Sequence, residues 1–250
     1  MKTEQNPKFT AIFVFWLVQN ANSNNTFISP INPLRHVVWK IFWLLNHPPI
    51  FMNFTRQHLQ KHHTDWVRSV AFHPSLPLLA TGSWDKSTIL YDISTSPPTV
   101  KHHLKGNHTN SVTSVAFHPS LPLFATGSND HSTILYDIYT SPPTIKYHFK
   151  HHTSGVRFVV FHPILLLLAI CLDDESTIIY DISTSPPPTV KHQLKHHTDW
   201  VRSVAFHPSF PIFATGSGDE STIFYDISTS PPTIKHHLKH HTDWVRSVAF

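Results

Sequence analysis

An all-β chain of stacked, four-stranded repeats is the fold that this 250-residue sequence predicts. Three observations carry it. A His-Thr pair is followed 28 residues later by a Tyr-Asp pair four times: His63 leads to Tyr91-Asp92, His108 to Tyr136-Asp137, His152 to Tyr180-Asp181 and His197 to Tyr225-Asp226. The opening histidines stand 45, 44 and 45 residues apart, and His241 follows after 44 more. Each interval holds short strand-like runs separated by Pro- or Gly-bearing turns. A fixed period of this length marks supersecondary units that cannot bury their faces alone and must stack on neighbours.

The first unit shows how each run is read. Val67–Phe72 (VRSVAF) puts Val70 and Phe72 on one face and Ser69 and Ala71 on the other, as a strand buried on both sides would. His73-Pro74-Ser75-Leu76-Pro77 is a turn, because two prolines forbid ladder donation. Leu78–Ser83 (LLATGS) is a second strand, ending at a glycine-assisted turn from Gly82 to Asp85. Residues 88–93 (TILYDI) form a third, with Ile89, Tyr91 and Ile93 on one face. Ser96-Pro97-Pro98 breaks the chain again, and Thr99–Leu104 (TVKHHL) completes a polar fourth strand. Four short strands in some 45 residues describe one blade of a β-propeller. The expected blades cover about 59–104, 105–149, 150–194 and 195–238, with a partial fifth at 239–250 and a non-repeat segment at 1–58.

The repeat resembles the WD40 family in four elements that recur in register over residues 59–250: the histidine before the first strand, V-x-S-V-A-F-x-P, A-T-G-S-x-D, and the closing aromatic-Asp pair. The resemblance implies a WD40-like β-propeller. It also implies a hydrogen-bonded structural tetrad in each blade, made of the opening histidine, a second-strand Ser or Thr, the turn aspartate and the closing aromatic. By position these are His63, Thr81, Asp85 and Tyr91; His108, Thr126, Asp130 and Tyr136; and His197, Thr215, Asp219 and Tyr225. A neutral imidazole suits this, donating to a carboxylate and accepting from a hydroxyl at once. The third unit keeps His152, Asp174 and Tyr180 but has Ile170, Cys171 and Leu172 where the others have Thr, Gly and Ser, so its polar network is expected to be the weakest. The family's closing tryptophan is tyrosine in all four units, and the residue before the opening histidine is mostly His or Asn instead of glycine.

Four complete blades and one orphan strand make an incomplete or open ring. That is read as a fragment or truncated copy, or as a ring closed by the N-terminal segment or by self-association with a second molecule. Within residues 1–58, the apolar run 11–18 follows Lys2 and Lys8 and has the outline of a secretory signal, against which Glu4 and the single cysteine argue for a buried strand or helix start. Residues 37–45 approximate a helical stripe and resemble, over about a dozen residues, the first helix of an F-box. Neither run is long enough for a membrane span.

Composition narrows the function. The formal charge is +4, with lysines spread at one or two per repeat rather than gathered in a patch, which argues against specific nucleic-acid binding. The lone Cys171 cannot form an internal disulfide, which fits a cytoplasmic or nuclear setting; secretion is the alternative if residues 1–21 are a signal. Ser, His and Asp recur together in every unit, as a structural device does, whereas an active site needs one asymmetric constellation. With no phosphate loop or nucleophile elbow either, the chain is not expected to be an enzyme or to hold a cofactor. The His-His pairs near 102, 151, 196, 236 and 240 sit on polar strands, where adjacent side chains point to opposite faces, so no metal site is expected.

The repeats differ most at two loops. One carries Asp65-Trp66, Asn110, Asp199-Trp200 and Asp243-Trp244; the other carries Trp84-Asp85-Lys86, Asn129 and His131, Asp173 and Glu175, and Glu220. In a WD40-like propeller both open on the face most used for binding. Lys86 against Glu175 and Glu220 makes that rim electrostatically uneven, and exposed tryptophans suit interface anchors. The functional expectation is a scaffold or adaptor for protein partners through this face. The alternatives are an F-box-like ubiquitin-ligase substrate receptor or a secreted repeat protein.

Overall fold

A computed structural model of the chain describes residues 61–150, 152–183 and 187–250. The chain divides into two units, Met1–Gln57 and His58–Phe250. The signal-like run, the helical stripe and the F-box-like string all lie outside the described residues.

Among the described residues, sixteen strands form four antiparallel sheets in which neighbours in sequence are neighbours in space. Blade 1 comprises β1 (Val67–Phe72), β2 (Leu78–Ser83), β3 (Thr88–Asp92) and β4 (Thr99–Leu104). Blade 2 follows with β5 (Val112–Phe117), β6 (Leu123–Ser128), β7 (Ser132–Asp137) and β8 (Thr144–Phe149). Blade 3 has β9 (Val156–Phe161), β10 (Leu167–Leu172), β11 (Thr177–Asp181) and β12 (Thr189–Leu194). Blade 4 has β13 (Val201–Phe206), β14 (Ile212–Ser217), β15 (Thr222–Asp226) and β16 (Thr233–Leu238). The third strand ends one residue short of the sequence expectation: the Ile93 N–H leaves the ladder and donates to the Pro77 carbonyl at 2.9 Å, tying the two turns at that end of the blade. No helix among the described residues is long and apolar enough to cross a membrane.

The turn between first and second strands is fixed by its histidine. Nδ1 of His73 accepts from the backbone N–H groups of Ser75 and Leu76 at 3.2 and 3.0 Å. His118, His162 and His207 repeat this with their own following residues. The Pro after each histidine has no N–H, so the ring serves donors that no strand could pair.

The core lies between blades. Leu78, Ala80 and Leu90 of blade 1 meet Val112, Val115, Phe117, Phe124 and Tyr136 of blade 2, and equivalent clusters join blades 2 to 3 and 3 to 4. A register shift skips the second residue of each first strand, so that Val112 and Val115, three apart, share one face. Those valines sit so close to the preceding blade that a Cβ on Gly82 would lie 2.7 Å from Val112 Cγ1. Gly127 meets Val156 at 2.5 Å and Gly216 meets Val245 at 2.6 Å in the same way. Here glycine is required for close approach. Val115 and Val159 then donate their N–H groups to Ser69 Oγ and Ser114 Oγ at 3.0 and 3.1 Å.

Blade 3 faces blade 4 without either device. Cys171 replaces the glycine and is fully buried against Val201 and Val204, and Phe158 stands where the bridging serine would be.

Candidate functional site: the loop face of the blades

The loops that join the second to the third strand and each blade to the next meet at one end of the sheets. In each blade one backbone hydrogen bond ties them together: Trp84 N–H to Trp66 O, Asn129 to Ser111, Asp173 to Gly155 and Gly218 to Trp200, at 2.9–3.0 Å. The turn is tightened by a non-glycine residue in the left-handed region, with φ of 68° at Lys86, 64° at His131, 71° at Glu175 and 66° at Glu220. Such a conformation is uncommon for a side chain with a Cβ. It is held by the aspartate just before it.

That aspartate anchors a polar chain. In blade 1 the Asp85 carboxylate lies 2.8 Å from His63 Nδ1, and His63 Nε2 lies 2.7 Å from Thr81 Oγ1. Blade 2 gives 2.9 and 2.8 Å for His108 with Asp130 and Thr126, and blade 4 gives 2.8 and 2.7 Å for His197 with Asp219 and Thr215. The threonine also bonds the closing tyrosine, Tyr91, Tyr136 or Tyr225. The proton order is set by the carboxylate, which only accepts: the Nδ1–H donates to aspartate and the threonine hydroxyl donates to Nε2. Each aspartate also takes the backbone N–H that follows the histidine, Thr64, Thr109 or Thr198. The chain therefore locks the loop entering the blade onto the turn inside it.

Burial pushes Asp85 and Asp219 up, but the hydrogen bonds from serine, backbone and histidine outweigh it and hold both at about 2. Asp130 is lowered further by the same balance. His197 is pushed down by desolvation despite its bond to Asp219. In blade 4, a neutral His197 beside an ionised Asp219 is the consistent state.

Two sets of residues complete the network beyond the positions expected from sequence. Ser87, Ser132, Ser176 and Ser221 each donate a hydroxyl to the turn aspartate two residues earlier, at 2.5–2.6 Å. Asp-x-Ser recurs in all four units, so this signal was present in the sequence. The residue before the opening histidine reaches the tyrosine hydroxyl: His62 Nδ1 at 3.3 Å, Asn107 Nδ2 at 3.0 Å and His196 Nδ1 at 3.3 Å. Glycine there offers no such group, so the two departures from the family pattern answer each other.

In blade 3 the structure brings the four positions near one another but does not join them as in the other blades. Ile170 faces His152 where a hydroxyl would be, and Nε2 of that buried ring has no hydrogen-bond partner. The Asp174 carboxylate is instead met by the hydroxyls of Thr153 and Ser176. With Leu172 in place of serine, Ser154 Oγ takes the Asp174 N–H at 2.9 Å. Desolvation drives His152 down to about 4. Its edge packs against Tyr180, with ring centroids 6.2 Å apart.

Aromatic and cationic side chains then pave this face. Trp66 is 66 % exposed and stacks on Trp84 with centroids 4.9 Å apart, and Arg68 lies 5.3 Å above Trp84. From blade 3 onward Arg and Trp alternate. Arg157 lies 4.6 Å over Trp200, Arg202 lies 5.3 Å from Trp200 and 4.0 Å from Trp244, and Arg246 lies 5.7 Å from Trp244. Arg202 Nε is buried between the indoles without a hydrogen bond, and desolvation, then its arginine neighbours, lowers that guanidinium. Arg68, Arg157 and Arg202 occupy the residue that the register shift skips.

The other expected face residues are placed as follows. Asp65 and Asp199 each accept the next backbone N–H, at 2.7 and 2.6 Å, as Asn110 does at 2.7 Å. Asn129 is turned in, with its Oδ1 buried beside Gly155 and unpaired, so it is not a free contact group. Asp173 is taken up by an ion pair with Arg157, and Glu175 lies 3.9 Å from Lys195. Lys86, His131 and Glu220 project from the left-handed turns. Among the described residues no three His, Cys, Asp or Glu side chains form a group that could hold a metal ion.

Blades stacked through a glycine-valine contact and braced by an Asp-His-Thr-Tyr chain define a propeller-type repeat protein. The family model described as WD domain, G-beta repeat matches residues 54–92, 98–137 and 188–226, so the chain carries WD40 repeats. The central part of the third unit, with Ile170, Cys171 and Leu172, lies outside these three matches. No curated protein matches the chain. WD40 repeats are in general non-catalytic protein-interaction modules.

Proposed function

We propose that the chain is a non-enzymatic adaptor that binds protein partners on the loop face of its blades. The exposed tryptophans carry this reading: Trp66, Trp84, Trp200 and Trp244 all open on that one face, and each is held flat by a neighbouring ring or guanidinium. Ordering a side chain on binding costs about 0.5–1.5 kcal/mol, and tryptophans fixed in advance lose little of that freedom. Arginine and tryptophan are also the residue types that dominate interface energetics. The network beneath supports the reading, since it uses the buried chemistry of each blade to position a loop instead of presenting a reactive group.

The test is a pull-down and affinity comparison of the wild type with two triple variants of exposed residues. One is Trp66→Ala, Trp84→Ala, Trp200→Ala on the loop face; the other is Leu76→Ser, Leu121→Ser, Phe210→Ser at the opposite turns. Loss of partners in the first and retention in the second is the expected result. Identical partner sets for the wild type and the tryptophan variant contradict the proposal.

A further inference from the structure

The turn histidines between first and second strands carry a chemistry that the loop-face network does not use. His118 and His162 lie at the seams between blades 2 and 3 and between blades 3 and 4, and are 1 % and 5 % exposed. His118 Nδ1 accepts from the Ser120 and Leu121 N–H groups at 3.2 and 3.0 Å. His162 Nδ1 accepts from those of Ile164 and Leu165 at 3.1 and 2.9 Å. A ring nitrogen that accepts carries no proton, so each neutral ring holds its single proton on Nε2. Nε2 of His118 is buried without a hydrogen-bond partner. The ring packs instead on the next blade: Phe161 of β9 stands T-shaped to His118 with centroids 5.1 Å apart, and Phe206 of β13 meets His162 at 4.8 Å. Aromatic faces accept ring edges and N–H groups in such arrangements. Each histidine therefore holds its own turn through Nδ1 while its ring packs on the neighbouring blade.

Protonation is incompatible with this arrangement. A second ring proton goes on Nδ1, where it faces two backbone donors and no acceptor. The cation also stands in a site that supplies no counter-charge. The charged side chains at this end of the blades are Asp137 and Lys146, Asp181 and Lys191, and Asp226 and Lys235. The aspartates accept from their own loops, at the N–H groups of Tyr139, Ser183 and Ser228. Burial alone pushes His118 below its ordinary value, and burial together with the Lys191 charge does the same to His162.

We infer that His118 and His162 form an acid-operated release of the blade seams, each coupling the turn of its own blade to the phenylalanine of the next. The rings stay neutral while the turn is closed and take a proton once it opens. The closed form is therefore lost as pH falls below the ordinary histidine value near 6.5. Opening the turn frees the ring, and the freed ring withdraws from Phe161 or Phe206. At the seam between blades 2 and 3 the Val159 N–H reaches Ser114 Oγ at 3.1 Å, so that amide reports the blade contact separately from the turn.

Amide hydrogen exchange of the full chain, followed residue by residue from about pH 7 to about pH 5, tests this. Protection of Ser120, Leu121, Ile164 and Leu165 is expected to fall about tenfold for each pH unit below 6.5, until the closed ring itself takes the proton. Val159 follows them, while Ala125 in the middle of β6 holds. The double variant His118→Asn, His162→Asn keeps an acceptor oxygen where Nδ1 stands, as in an Asx turn, and cannot titrate. It should fold as the wild type does at neutral pH and keep its turn protection throughout. His152→Gln, which removes the other depressed histidine, should leave the local fall in place. Constant protection of the four turn amides in the wild type overturns the inference, as does an equal loss in the double variant. A Val159 that stays protected while the turns open, or ring nitrogen shifts that place the neutral-pH proton on Nδ1, overturns it too.

Discussion

Blades 2 and 3 hold the same histidine in two different ways. In blade 2, His108 is bonded at both ring nitrogens, to Asp130 and Thr126, and the tyrosine below is reached by Asn107. In blade 3, His152 sits in the same place with Ile170 where the threonine would be, and its Nε2 is unpaired. Yet both blades form four strands, and both tie their loops by the same backbone hydrogen bond. The polar chain is thus not what makes a blade fold. Apolar burial suffices for that, as the fully buried run from Leu168 to Leu172 shows. What the chain adds is a fixed loop: where it is broken, Thr153 and Ser154 hold Asp174 instead.

Removing the turn aspartate probes this difference most strongly. Asp130→Ala leaves the buried ring N–H of His108 without its acceptor and is expected to cost about 3 kcal/mol, the upper end for a hydrogen bond to a charged group. Asp174→Ala removes only hydroxyl and backbone bonds and should cost about 1–2 kcal/mol. Urea unfolding of both variants measures it, and equal losses would break the comparison.

Acid separates the blades next. A histidine lowered to about 4 in the fold takes its proton first in the unfolded chain, so His152 contributes stability that is lost as pH falls from about 6.5 to about 4. Asp85 and Asp219, held at about 2, contribute stability present above the unfolded carboxylate value near 4 and lost as pH falls from there toward 2. His152→Gln, which cannot titrate, should flatten the stability curve between pH 6.5 and 4 by up to about 3 kcal/mol. An unchanged slope in that window contradicts the assignment.

Exchanging the hydroxyl sharpens the contrast further. Thr126→Ile in blade 2 orphans His108 Nε2 and crowds a packed site, for a loss of about 2 kcal/mol. Ile170→Thr gives His152 its missing donor, which offsets most of the lost apolar burial, so stability should change by less than about 1 kcal/mol. The seam between blades gives a further contrast of modest size. Gly127→Ala drives a methyl into Val156 and should cost about 1–2 kcal/mol, whereas Cys171→Gly removes a thiol from a seam already spaced for it and should cost about 1 kcal/mol. Thermal melts of these four variants settle the order.

The period made the fold legible, because four copies of one unit report the same strands and turns independently. The partners of His63, His108 and His197 stood at the positions that the family pattern implies. The serine of Asp-x-Ser was equally visible in its fixed spacing. The arginines were not. Strict alternation along VRSVAF puts Arg68 on the face of Val70 and Phe72, but the bulge after Val67 re-phases the strand and sends the skipped residue to the loop face, where it stacks on tryptophan. A bulge leaves no mark in a period-two pattern. The loss of the second bond to His152 was also hidden, since Asp174 is retained but its carboxylate accepts from the Thr153 hydroxyl.

The measurement closest to the central claim is a long-range proton–nitrogen spectrum of the histidine rings at neutral pH, with exchange rates of the ring protons. The account requires protected Nδ1–H protons, hydrogen-bonded to carboxylate, on His63, His108 and His197, and none on His152. A protected Nδ1–H on His152 equal to the others, or its absence from the other three, would contradict it.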